Sequence, residues 1–262
     1  MEDQLFYPLD LPSLAKFSEW RLVEDPILDN VGSLTAKMGA NRKGNGRHVR
    51  TPKPGTPEEA ALRYDAILKY GWPGTSIKEW VCSRLIRLCN LPAAPVQILN
   101  LQRRPGLGVP FGALIHVIPS VNAPELWNLS SNDLCARGIN PEIVAKLKAF
   151  VIWISGMPGN EIGEFRLSLD GCPFMIDHQD VLFLDSFGNL KDYPKTIPTN
   201  YWRSFFPDPE QIEIAKTFWT CLPGIVYRFG QLDPLGAKLF ENFQPHLMRF
   251  LTSREIEDDN NA

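Results

Sequence analysis

The stretch from Phe165 to Gly188, FRLSLDGCPFMIDHQDVLFLDSFG, constrains this chain more than any other. Two apolar runs, Phe165 to Leu169 and Phe174 to Leu184, flank Asp170-Gly171, a dipeptide whose two residues both tolerate positive φ. The pattern predicts a β-hairpin. Asp177 and His178 then interrupt the second apolar run, and a carboxylate set there needs a partner to offset its desolvation. A metal ion, a nearby cation or backbone amides would each serve; a carboxylate capping a turn at the strand end is the plainer alternative.

A chain of 262 residues, 44% hydrophobic and 22% charged, has the material for one large domain or for two small lobes sharing an interface. Its 23 prolines imply many fixed turns rather than long helices. The net charge of −3 argues against wholesale coating of nucleic acid and leaves a local basic patch open. Five scattered cysteines with no CxxC pair predict reduced, mostly buried thiols of a cytoplasmic protein, and four widely separated histidines exclude a sequence-local zinc motif. No run approaches 18 apolar residues, so no membrane partner is expected.

Residues 31 to 56 form a glycine-rich basic segment, with Arg42, Lys43, Arg47, Arg50 and Lys53 beside Gly39, Gly44 and Gly46. It fits neither GxxxxGK[ST] nor GxGxxG, so it predicts a solvated surface loop, with phosphate or nucleic-acid contact through residues 42–53 as the alternative. PEEAALRYDAILKY, Pro57 to Tyr70, predicts a helix ending before Gly71. Ser76 to Glu79 matches a capping box opening a second helix that Leu91-Pro92 stops, so Glu79 is expected to cap its own helix. Pro95 to Leu101 and Phe111 to Ile118 predict strands, and Pro119 to Pro124 an exposed connector between lobes. Asn140-Pro141 starts a helix with a face of Ile143, Val144, Leu147, Phe150, Val151 and Ile154, apolar enough to be central. After the hairpin, 189–200 is expected to be irregular, Tyr201-Trp202, Pro209 to Cys221 and Gly236 to Thr252 helical, and EIEDDNNA frayed.

An early part of strands with one capped helix, then a connector, then a mainly helical part with an Asp-bearing hairpin is the order of a two-lobed kinase-like fold. Here the chain resembles the HipA-like protein kinases over roughly residues 45 to 190. TSIKEWVCSRLIRLCNLPAAPVQIL resembles the family's Glu-bearing helix with its Leu-Pro-x-x-Pro turn and strand. GVPFGALIHVI resembles the Phe-Gly strand leading to the hinge, and FVIWI with DGCPFMIDHQDVLFL the helix, hairpin and Ile-Asp-His segment. The resemblance implies an α+β, two-lobed, protein-kinase-like fold, with a mixed lobe over 1–120 that covers the nucleotide and a mainly helical lobe over 121–262 that carries the metal-binding hairpin.

The same resemblance implies ATP and Mg²⁺ as cofactors, phosphoryl transfer to Ser or Thr of a protein substrate, and Asp177 as the Mg²⁺ ligand. Glu79 corresponds to the helix Glu that pairs with a strand Lys, for which Lys53 is the nearest candidate and Arg50 its rival. The catalytic loop departs from the family. Pro158 stands where the family has its catalytic Asp, and Gly163 where it has a second metal-binding Asn. Neither side chain accepts a proton or ligates a metal, so Glu161 and Asn160 are the only nearby substitutes for base and ligand. That loss raises a second reading, a pseudokinase that binds nucleotide and a protein partner without transferring phosphate. A third reading is a nucleic-acid-associated protein using the basic arm.

Overall fold

The computed structural model describes residues 46–52, 63–70, 73–94, 96–100, 111–116, 118, 120–155, 165–176, 178, 196–197, 199–232, 251–253 and 255–256. Its class is α+β. Strands β1 (Gly46–Pro52) and β2 (Arg63–Tyr70) precede helix α1 (Pro73–Leu88), and β3 (Val96–Asn100) and β4 (Phe111–His116) follow it. These four strands form one antiparallel sheet in the order β1-β2-β4-β3. Helix α1 packs on β2, β3 and β4.

Pro73 is the first residue of α1, where its missing N–H costs no bond. At the other end Asn90 takes φ 60°, and the Leu91 N–H returns to the Ile86 carbonyl at 3.1 Å, so a left-handed Asn closes the helix just before Leu91-Pro92.

Two expectations for this region change. Arg63–Tyr70 is a strand, not the C-terminal half of a helix, and residues 57–62 lie outside the described set. Tyr64, Ile67 and Tyr70 suit a strand, and ladders to β1 on one side and β4 on the other satisfy its backbone from both edges. Gly46–Pro52, part of the expected surface loop, is the edge strand of the same sheet.

Beyond β4 come β5 (Ser120–Asn122), a 3₁₀ turn at Pro124–Asn128, α2 (Ser131–Ala136) and α3 (Pro141–Ser155). Strands β6 (Phe165–Ser168) and β7 (Pro173–Met175) make the hairpin, and β5 pairs with β6. The expected connector is therefore partly a strand. Val121 is 55% exposed, as a connector residue should be, but its backbone pairs opposite Leu167, which apolar periodicity cannot reveal. The remaining elements are β8 (Thr196–Ile197), α4 (Thr199–Phe205), α5 (Pro209–Leu232) and β9 (Glu255–Ile256). β9 lies parallel to β8, so Glu255 and Ile256 are paired rather than frayed. Helix α5 runs eleven residues beyond Cys221, through Pro223.

Helix α3 is the centre of the later part, as its sequence predicts. The Asn140 side chain accepts the Glu142 N–H at 2.9 Å, and every residue from Leu147 to Ile154 is buried. It packs against α5, and the Trp153 indole N–H donates to the Leu251 carbonyl at 3.0 Å. Trp202, fully buried, meets Trp219 edge-on at 5.2 Å and Phe206 at 4.9 Å, which joins α4 to α5. No helix among the described residues is long and apolar enough to cross a membrane.

Candidate functional site

Helix α1 turns an unusual set of polar side chains inward: Lys78, Glu79, Ser83, Arg84 and Arg87 are all buried. Burial of that kind needs partners. Ser83 Oγ donates to the Ala94 carbonyl at 2.7 Å, and the Arg84 guanidinium lies 5.1 Å from the Trp80 ring centroid.

Glu79 is the centre of the set. Only 1% of its side chain is exposed, and its Oε1 receives Lys69 Nζ at 2.5 Å, from a side chain itself 13% exposed. Its second oxygen, Oε2, accepts the backbone N–H of His178 at 3.0 Å. One carboxylate thus joins three parts of the chain: the penultimate residue of β2, the first half of α1 and the residue after Asp177. A capping role for Glu79 is overturned by this geometry. α1 begins at Pro73, so Glu79 lies in its second turn, with both oxygens spent on distant groups.

Among the described residues, the lysine that Glu79 engages is Lys69. Lys53 lies outside the described residues, and Arg50 sits in edge strand β1 opposite Asp65. Sequence reasoning missed Lys69 because it assigned Arg63–Tyr70 to a helix. A strand reading of RYDAILKY would have placed a lysine ten residues before Glu79, at the end of a strand leading directly into its helix.

The hairpin forms, with a shorter second arm than expected. Gly171 has φ 82°, the conformation its missing side chain allows, and the Cys172 N–H donates to Ser168 Oγ at 2.9 Å. Strand β7 ends at Met175, with Ile176 and His178 outside it, and residues 179–184 of the expected arm lie outside the described set. The physical reason is that the His178 N–H goes to Glu79 on α1 instead of to a neighbouring strand. His178 is 4% exposed, and Ile176 and Met175 join Glu79, Ser83, Ala94, Val96 and Ile115 around a cavity no larger than a water molecule. This cavity is a packing gap behind the pair.

No protein-family model matches this chain, and no curated protein matches it. The site therefore stands on its own residues. Asp177, Asn160 and Glu161, expected as metal ligands and base, lie outside the described residues, as do Pro158 and Gly163. Among the described residues no three His, Cys, Asp or Glu side chains gather as a metal site. Each Glu79 oxygen is already engaged, Oε1 by Lys69 and Oε2 by the His178 amide. The neighbouring Cys82 thiol is pushed far above its usual range, first by burial and then by the Glu79 charge, so it is an inert thiol.

Proposed function

We propose that this chain binds ATP with Mg²⁺ in a two-lobed, kinase-like fold, with Lys69 as the phosphate-holding lysine. The observation that carries the reading is the Lys69–Glu79 pair, with Glu79 also holding the amide beside Asp177. A lysine locked by a buried carboxylate is a preorganised cation, and phosphate binding is largely a matter of such placement. The resemblance to HipA-like kinases points the same way. Glu79 orients the Lys69 ammonium and, through the His178 amide, ties the Asp177 segment to the same helix. Neutralisation of phosphate oxygens is the task of Lys69. Asp177 with Asn160 are the residues that would hold Mg²⁺, which would supply further neutralisation of the phosphate charge.

The catalytic loop favours a second reading of the same site. With Pro158 and Gly163 where the family has Asp and Asn, the chain lacks a base of the usual kind. General base catalysis contributes about 10²–10⁴-fold, so transfer to a protein Ser or Thr through Glu161 would be slow. A pseudokinase reporting nucleotide occupancy to a protein partner has no need of it.

Thermal unfolding in ATP and Mg²⁺ tests the binding. Ligand at 100 times its dissociation constant adds about 2.7 kcal/mol, roughly 5–10 °C in Tm at this size. The shift is expected in the native chain and is lost in Lys69→Ala and in Asp177→Asn. An unchanged Tm overturns both readings. Labelled phosphate on the chain or on a protein substrate, absent in Asp177→Asn, separates enzyme from pseudokinase.

A further inference from the structure

Lys148, on the central helix α3, has no exposed surface, and among the described residues no carboxylate bonds to it. Its Nζ donates to the Trp127 carbonyl at 2.9 Å and to Gln211 Oε1 at 3.2 Å. The rings of Phe206 and Trp127 lie 4.6 and 5.4 Å away. Gln211 is fixed in turn, since its Nε2 donates to the Leu129 carbonyl at 2.9 Å. Asp208, the acid whose charge acts on Lys148, is occupied by the Ser131 N–H at 2.7 Å and the Gln211 N–H at 2.9 Å.

A neutral amine has two N–H donors and this pocket has two oxygen acceptors. An ammonium has a third, which would face the rings of Phe206 and Trp127; these attract a cation, but among the described residues no bonded anion offsets the loss of water at a side chain with no exposed surface.

We propose that Lys148 makes the joint between α3, the 3₁₀ turn and the α4–α5 corner proton-sensitive: the closed joint holds a neutral amine, and opening the joint to water takes up a proton. Burial pushes the Lys148 amine down to about 7 against the opposing pull of the Asp208 charge, in keeping with this geometry. Among the described groups on the surrounding elements, Glu125, Asp133, Arg137, Glu142, Arg203, Glu210 and Glu213 are exposed and Lys146 and Lys216 half-buried, and Asp208 is the charge that acts on the amine. Asp208 itself stays ionised throughout the neutral range: burial works against its charge, but the Gln211 and Ser131 amides outweigh that and hold it below its usual value. The inference needs no nucleotide and stands apart from the proposed function.

The sign follows from linkage. The open state binds one proton more than the closed state between the folded value and the ordinary lysine value, so opening becomes easier as pH falls. It levels off once the closed form is itself protonated.

Hydrogen exchange of the Ser131 and Gln211 amides in the full chain, corrected for intrinsic rates, reads this opening between pH 6 and 9. The expected result is an opening equilibrium that rises about tenfold per pH unit from 9 to 7 and then flattens. Lys148→Met, an apolar replacement of similar length, removes the dependence. Gln211→Glu supplies a carboxylate beside the amine and keeps Lys148 charged, which also removes it. Opening that is independent of pH in the native chain overturns the proposal. So does an unchanged dependence in either variant; if Lys148→Met does not fold, Gln211→Glu decides alone.

Discussion

Glu79 accepts the backbone N–H of His178 at 3.0 Å, a contact between residues 99 positions apart. The same carboxylate holds Lys69, so the two interactions share one buried charge. Removing the carboxylate by Glu79→Ala leaves an ammonium and an amide without their acceptor. The expected loss is about 3–5 kcal/mol in urea unfolding. Replacing both partners, Lys69→Met with Glu79→Leu, removes charge from both sides and is expected to cost less than the sum of the single changes by about 1–3 kcal/mol. Additive losses would mean that the two side chains do not depend on each other.

Asp208 stands just before α5, where its carboxylate accepts the Gln211 N–H and both the N–H and the hydroxyl of Ser131. Asp208→Ala is expected to destabilise the chain by about 1–2 kcal/mol, the usual range for a lost N-cap. Its folded pKa lies below the unfolded value, because the amide hydrogen bonds outweigh burial. The contribution is therefore complete above the unfolded value and is lost as pH falls through the folded one. Stability curves of the native chain and Asp208→Ala should converge in acid, and parallel curves down to the lowest pH would refute this role.

The thiols divide by environment. Cys135 and Cys221 are exposed, Cys89 and Cys172 are half-buried, and Cys82 is buried. Burial pushes the Cys82 and Cys89 thiols far above their usual range. A chromogenic thiol reagent at neutral pH should react rapidly with Cys135 and Cys221, more slowly with the half-buried Cys89, and with Cys82 only after denaturation. Mass mapping of the labelled sites checks the assignment.

Gly171 carries the reversal between β6 and β7 at φ 82°, and a methyl group there would meet nothing within 4 Å. Gly171→Ala therefore isolates the backbone term, expected at about 1–2 kcal/mol. An unchanged midpoint in denaturant would show that the turn relaxes into another conformation.

Local chemistry was legible in the sequence. Asn140-Pro141 announces α3, Leu91-Pro92 marks the end of α1, and Asp170-Gly171 marks the hairpin. Each is decided by residues within a turn of the feature. Arg63–Tyr70 was not legible, because its strand depends on Gly46–Pro52 and Phe111–His116, and with it went Lys69. Ser120–Asn122 and Glu255–Ile256 were lost for the same reason: each is a strand only because a distant strand pairs with it. Nothing in the sequence around Lys148 marks it as buried, since the Trp127 carbonyl and Gln211 that receive it are supplied from elsewhere in the chain. The bonds of Glu79 to Lys69 and to the His178 amide depend likewise on the sheet and the hairpin, which no stretch around Glu79 encodes.

The Trp153–Leu251 hydrogen bond and the parallel pairing of β8 with β9 have a kinetic consequence. The central helix is complete in sequence by residue 155, yet the indole at its core finds its acceptor 98 residues later. During synthesis at about 5–20 residues per second, α3 waits several seconds on the ribosome with that face unfinished. Closure of this core is thus a late event in the life of the nascent chain, and the interval before it is when a chaperone would have an apolar helix to hold.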